Sequence, residues 1–317
     1  MNYNENISKI KQNMKKDYLP DLNASVIAGL DFFLKNKPAR SAFQKQAPGF
    51  VVGSVNAYNT GRMLFGDKPV FFADEGNFLS QLKIYRPLIK AGTIKEAIII
   101  SASGEKDSIW EIKAAKKAGL KTTLLTCNAD STGAKLADRC LAFQKSPEPY
   151  SYNFSTYLGM ILSLTKENPQ KIKGFLEKIR RPKNFSAYRY YTFILPDRFR
   201  PIVDMINVKD DELFGPYSSL RAYSEGNARH AKFICPSDKE LVISFGRNRF
   251  FGQPKNRWDI ALPEQADYGL ALAASYYIIG FIQASRPPYF KKGLPDYCQK
   301  TGPRPYGQKK PFSVIVK

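Results

Sequence analysis

The sequence predicts an α/β protein made of two tandem three-layer domains, each a mainly parallel sheet flanked by helices. Three observations carry that expectation. Short apolar runs of strand length alternate with segments of helical spacing, the pattern of a parallel sheet covered on both faces. Polar loops containing serine, threonine, asparagine or aspartate follow several of those runs, at the edge where such sheets hold ligands. The alternation then restarts near residue 190, so the second half loosely echoes the first. A chain of 317 residues can bury a core large enough for two domains.

The elements follow in order. Residues 1–20 read as a basic, partly helical leader ending at Pro20, and 21–166 as the first domain. Asp21 can cap a helix in which Ile27, Leu30 and Phe33 recur at near-helical spacing. A strand at Gly49–Val52 meets G-S-V-N-A-Y-N-T-G, a turn and helix start with Ser54 and Asn56 as donors; the dinucleotide pattern G-x-G-x-x-G is absent. Strands are expected at 69–73, 97–100, 120–126 and in C-L-A-F from Cys140. Helices are expected up to Lys90, after Asp107, within T-G-A-K-L-A-D and from Tyr152 to Lys166. The charged interval 167–187, with Pro169 and Pro182, reads as a linker, and 188–317 as the second domain with a basic tail. That domain offers a strand at 190–195, a helix with Ile202, Met205, Ile206 and Leu213 as its apolar stripe, and a strand at 240–245. A long helix over 265–284 and a strand-like F-S-V-I-V ending complete it.

The totals bound the function. Basic residues number 49 against 28 acidic, a net charge of +21, gathered in Lys166–Arg189 and Arg286–Lys317. Such a total suits a nucleic-acid binder, yet the charges are spread over enzyme-like α/β units without a nucleic-acid motif. A nucleic-acid partner is therefore disfavoured, and steering of phosphorylated metabolites is the preferred reading. Cys127, Cys140, Cys235 and Cys298 have no close pairing, and His230 is the sole histidine, so neither a disulfide scaffold nor a metal site is expected. The amino terminus lacks an apolar signal core, and the run Gly269–Ile282 is shorter than the roughly 18 residues a membrane span needs. A soluble, cytoplasmic protein without a membrane partner is the expectation.

The chemistry concentrates in E-A-I-I-I-S-A-S-G-E-K-D at 96–107. A buried strand breaks into two alternating hydroxyls and a glycine, then enters a helix with Ile109, Ile112 and Ala115 at three-residue intervals. The first amides of a helix have no internal acceptor and its dipole favours negative charge, so Ser101, Ser103 and Gly104 begin an anion site, with the phosphate of a small molecule as the anion. The competing reading is an ordinary turn in which the serines only cap the helix.

On these residues the chain resembles the sugar isomerase (SIS) superfamily. It is most similar to a double-SIS protein of the kind that forms the isomerase half of glucosamine-6-phosphate synthase. S-A-S-G-E-K at 101–106 stands where that family has S-x-S-G-E-T, and the match continues through A-A-K-K-A-G-L and T-C-N-A-D-S-T-G-A-K-L-A-D. In the second half, 193–212 lies without gaps on a family strand and a helix ending K-L-K-E. This puts Lys209 on the family's first lysine and Glu212 on its glutamate. A-Y-S-E-G-N-A-R-H resembles A-Y-A-A-G-E-L-K-H, placing His230 on the family's histidine. K-K-P-F-S-V-I-V resembles the terminal K-S-V-T-V, placing Lys310 or Lys309 on its tail lysine. Lys106 replaces a threonine, exchanging a hydroxyl for a cation that either binds phosphate or points outwards.

The resemblance implies a phosphosugar aldose/ketose isomerase acting on a hexose 6-phosphate through an enediol-like intermediate. It needs no metal or other cofactor and is a homodimer whose sites are completed by the second subunit. In that scheme Glu212 moves the proton, His230 opens the ring, and Lys310 stabilises the oxyanion or forms a Schiff base. Phosphate is held by Ser101, Ser103, Gly104 and helix amides, with Ser54 and Lys106 assisting, and Ser155 and Thr156 contact the sugar. Glu225 is a rival carboxylate, and Lys309 and Lys209 are alternative cations. Ammonia-dependent glucosamine-6-phosphate synthesis or deamination and fructosamine-phosphate deglycation share these requirements. A regulator that binds sugar phosphate without turnover is the alternative of a different class, and the reading leans to an enzyme.

Overall fold

The computed structural model describes residues 19–38 and 49–317; the expected leader, up to residue 18, lies outside them. The chain is α/β, with two compact units. One comprises residues 36–145 and 155–166. Its strands β1 (Gly49–Val52), β2 (Val70–Ala73), β3 (Glu96–Ile100), β4 (Lys121–Thr126) and β5 (Arg139–Ala142) form a parallel sheet of order β2-β1-β3-β4-β5. The central strands β1 and β3 are almost wholly buried, as their unbroken apolar runs require. Phe50, Val52, Ala97, Ile99 and Leu124 meet Ile112 and Ala115 of the helix Asp107–Lys117 in the core.

The other unit comprises, of the described residues, 19–35, 146–154 and 167–317. Here β7 (Tyr190–Leu195), β8 (Ser219–Ser224), β9 (Glu240–Phe245) and β10 (Arg257–Ile260) form a parallel sheet of order β10-β9-β7-β8. Numbered within each sheet, both share the order 2-1-3-4, the structural form of the echo seen in the sequence. β6 (Glu148–Pro149) pairs antiparallel with β11 (Ile315–Val316), so the apolar ending is tied down in a two-stranded ribbon and not in the main sheet.

Two expected boundaries are corrected. The helix Leu22–Lys35 belongs to the unit of the second sheet, not to the first domain. Its Leu22, Val26, Leu30 and Phe33 are buried. Gly280 in the helix Tyr268–Ala284 lets it approach so closely that a Cβ there would lie 2.0 Å from the amide nitrogen of Asn23. Gln283 Oε1 accepts from the Leu22 amide at 2.7 Å, and the Tyr152 hydroxyl donates to the Pro20 carbonyl at 2.7 Å. Nor is 167–187 a linker. Asn168 caps the helix Pro169–Leu176, which buries Ile172 and Leu176 and pairs Lys173 with Asp31 at 2.6 Å. Phe185 is buried against Tyr191 and Trp258. Among the described residues no helix is long and apolar enough to cross a membrane.

Candidate functional site

In the five-stranded sheet, β1 and β3 are neighbours from which successive strands run in opposite directions, a topological switch point. Crevices at such points, outside the carboxyl ends of the strands, are where open α/β sheets bind ligands. Ser54 follows β1 and Ser101 follows β3, so the two loops share that edge.

The loop after β3 is built from backbone and glycine. Gly104 adopts φ +65°, and a Cβ on it would fall 2.1 Å from Ser131 Oγ. Its carbonyl accepts from the Gly133 amide at 2.8 Å, and Glu105 Oε1 accepts from the Thr132 amide at 2.8 Å, clamping the loop to the turn after β4. Ser101 Oγ accepts from the Gly104 amide and Ser103 Oγ from the Glu105 amide, both at 3.2 Å. Each hydroxyl thus spends a lone pair on the loop and keeps its proton for another acceptor. The amides of Asp107 and Ser108 precede the first closed turn and have no acceptor inside their helix. Lys106 occupies the N-cap with φ +60° and no capping bond from its side chain. Burial holds its ammonium below the usual lysine range, more strongly than Asp107 raises it. The residue is half-buried. Hydroxyl donors, helix amides and a partly desolvated cation together suit an oxyanion.

The sequence did not mark Glu111. The buried stripe of this helix is Ser108, Glu111, Ile112 and Ala115, so the expected 109-112-115 stripe is rotated and Ile109 is only half-buried. Glu111 is 1% exposed and its Oε1 has no hydrogen-bond partner. Burial, then the charges of Asp107, Glu75 and Asp74, push its carboxyl up to about 8. In the loop after β1, Val55 takes φ +48° and Asn56 is 5% exposed, facing protein with its Oδ1 unpaired rather than lying open as a donor. Ser54 is half-buried. Ser155 and Thr156 lie in the first turn of the helix Phe154–Thr165 and are buried, with 0% and 2% exposure.

In the other unit the helix Arg200–Leu213 brings Lys209 and Glu212 together. The Lys209 side chain is fully buried, and its ammonium donates to Glu212 Oε2 and, at 2.7 Å, to the Ser151 carbonyl. It also lies 5.2 Å from the centre of the Tyr276 ring. Ser151, at φ +71°, belongs to the irregular turn that wraps this cation. Burial raises the Glu212 carboxyl above the ordinary range, outweighing the opposite pull of Lys209. Tyr150 and Tyr297 lie within electrostatic reach of Glu212, and both hydroxyls are raised chiefly by burial. The tail reaches this neighbourhood, because Phe312 stacks on Tyr150 with ring centres 5.2 Å apart.

The remaining expected groups do not join that pair. His230 and Glu225 are exposed at the two ends of the helix Glu225–Ala231, which buries only Ala228. Lys309 and Lys310 are exposed three and two residues before Phe312. None of the four makes an ion pair or side-chain hydrogen bond with Lys209 or Glu212. Among the described residues no group of three histidine, cysteine, aspartate or glutamate side chains is set to hold a metal ion.

No family model matches the sequence, and no curated protein matches it. Solved structures do match. A glucosamine-6-phosphate deaminase from Thermotoga maritima is 16% identical with a TM-score of 0.54, covering 83% of this chain and 94% of its own. The C-terminal domain of glucosamine-fructose-6-phosphate aminotransferase from Francisella tularensis is 13% identical with a TM-score of 0.55, covering 83% and 93%. A tagatose-6-phosphate ketose/aldose isomerase from Escherichia coli is 11% identical with a TM-score of 0.54, covering 85% and 92%. At these identities the likeness is one of fold: the chain has the α/β architecture of these proteins.

Proposed function

We propose that this chain is a double-SIS phosphosugar isomerase, interconverting the aldose and ketose forms of a hexose 6-phosphate by ring opening and proton transfer. The observation that supports the proposal is the Ser101–Lys106 loop, which gathers two hydroxyls, the start of a helix and a half-buried ammonium within one short stretch. Fold neighbours that act on glucosamine 6-phosphate and tagatose 6-phosphate support the same ligand class.

Glu212 is assigned the proton transfer, because burial tunes a carboxylate towards the neutral range where it can both take and give a proton. Lys209 holds it in place. His230 is assigned ring opening, and Lys310 or Lys309 the developing oxyanion. Ser54 and Lys106 are assigned to assist the phosphate, and Ser155 and Thr156 to contact the sugar. A homodimer in the cytoplasm is part of the proposal, with the exposed His230 acting on a second subunit's site. Amine transfer to or from the ketose uses the same phosphate seat and carboxylate.

The exposure of His230 and Lys310 favours one other reading, a regulator that binds sugar phosphate without turning it over. Incubation with glucose, fructose, tagatose and glucosamine 6-phosphates in deuterated buffer, followed by NMR, separates the two. The isomerase incorporates deuterium at C1 or C2 and loses this in Glu212→Gln while still binding. Binding without exchange selects the regulator. Absence of binding to every phosphosugar overturns both.

A further inference from the structure

Loop 246–256 and the turn after the helix Glu225–Ala231 carry exposed aromatic and aliphatic side chains that the phosphosugar reading, which takes only His230 from this helix, does not use. Phe233 and Phe251 meet with ring centres 5.3 Å apart over Tyr223 and the buried Ile194, Ala228 and Val242. On either side of that contact Ile234 and Phe250 stand out, each 79% exposed. The loop is braced in this form. Asn248 Oδ1 accepts from the Phe250 and Phe251 amides at 3.1 and 2.9 Å. Arg257 donates to the Phe251 and Gly252 carbonyls, both at 2.8 Å. Gly252, at φ +69°, packs where a Cβ would lie 2.4 Å from Val242 Cγ2. Phe250 is thus held in water by a hydrogen-bonded frame.

Its surroundings are cationic. Residues 229–259 hold seven basic residues (Arg229, Lys232, Lys239, Arg247, Arg249, Lys255, Arg257) and three acidic ones (Asp238, Glu240, Asp259). Asp238 is paired with Lys255 at 2.7 Å, and Glu240 is buried against Arg221 and Thr192. Asp259 accepts from the Asn248 amide at 3.1 Å. Arg247 and Arg249, next to Phe250, are exposed and form no ion pair, and Lys232 is exposed at the neighbouring turn. A symmetric contact with a second copy centred on Phe250 would set Arg247 and Arg249 against their own copies. An exposed aromatic ring preceded in the same loop by two exposed, unpaired arginines instead suits a base stacked on Phe250 with flanking phosphates on Arg247 and Arg249. The chain's net charge of +21 adds long-range attraction.

We infer that this face binds single-stranded nucleic acid without sequence preference, through stacking on Phe250 and phosphate contacts from Arg247 and Arg249. The test is fluorescence anisotropy of the full chain with a labelled 20-nucleotide single strand across a salt series. The expected results are weakening of at least fivefold in Phe250→Ala and a salt slope shallower by about 1.4 in the Arg247→Gln, Arg249→Gln pair. Removing two charges in the other unit, Lys113→Gln with Lys117→Gln, leaves the affinity within twofold. All substitutions are at exposed positions, and circular dichroism checks folding. Equal affinity of wild type and Phe250→Ala overturns the inference. So does equal binding of a duplex, binding only to phosphatidylserine vesicles, or loss of a dimer in Phe250→Ala without change in nucleic-acid binding.

Discussion

The ammonium of Lys209, fully buried, is hydrogen-bonded to the carboxylate of Glu212 one turn further along the same helix. Removing one partner of such a pair leaves the other desolvated and unmatched. Lys209→Met should lower stability by about 3 kcal/mol, while Glu212→Gln, which leaves a neutral acceptor beside the lysine, should cost less. Urea unfolding of the two variants checks the order. Equal stability of Lys209→Met and wild type would remove the reason for placing a tuned carboxylate here.

Glu111 predicts a pH dependence whose sign follows from its surroundings. Its folded carboxyl is pushed from 4.5 up to about 8, so folding favours the protonated form. That stability is fully present below about pH 4.5 and is lost as the pH rises through about 8, at most about 1.4 kcal/mol for each pH unit. Glu111→Gln, which cannot ionise, should gain stability relative to wild type between pH 5 and pH 9. Thermal unfolding at both values reads the difference, and a constant gap would show that Glu111 ionises freely in the folded chain.

Glu167 receives the amides of Asp267 at 3.0 Å, Gly269 at 2.7 Å and Leu270 at 3.0 Å, covering the start of the helix Tyr268–Ala284. Its charge complements the dipole of a buried helix. Glu167→Ala should cost about 1–2 kcal/mol, measured by urea unfolding. A change below about 0.3 kcal/mol would show that water replaces the carboxylate there.

These residues also show what was legible in the sequence. The five strands of the first sheet and β7 and β9 of the second announce themselves as short apolar runs, and the Ser101 loop as a hydroxyl-glycine break between a strand and a helix, whereas β8, S-L-R-A-Y-S, does not. Those are local signals. The helix Leu22–Lys35 joins the second sheet's unit through partners such as Gln283, 261 residues from Leu22 in the chain, which no local pattern encodes. Glu111 sits in W-E-I-K, where a glutamate reads as an exposed helical residue; only the rotation of the buried stripe by Ser108 turns it inward. β10 was hidden in a basic, glycine-containing interval because it is a short strand at the edge of its sheet. Lys209 and Glu212 were legible only as separate candidates through the resemblance, and the burial of Lys209 against the apolar stripe follows from packing. The exposure of His230 and Lys310 was not legible, since side-chain direction depends on the face each element packs.

Gly104 offers a backbone test of the phosphate seat. A Cβ there would collide with Ser131 Oγ at 2.1 Å, at a φ of +65° that disfavours other residues. Gly104→Ala should distort the loop, cost about 1–3 kcal/mol and abolish phosphosugar binding while the rest of the chain stays folded, as followed by circular dichroism and ligand titration. Retained affinity would place the phosphate elsewhere.

The most direct measurement of the central claim is calorimetric titration of the full chain with hexose 6-phosphates and with the same hexoses lacking phosphate, in wild type and in Ser101→Ala with Ser103→Ala. The account predicts that only a phosphorylated sugar binds wild type and that the double substitution weakens it at least tenfold, as expected for two lost hydrogen bonds to a charged group. Equal binding of phosphorylated and plain sugars, or affinity untouched by loss of both hydroxyls, would contradict it.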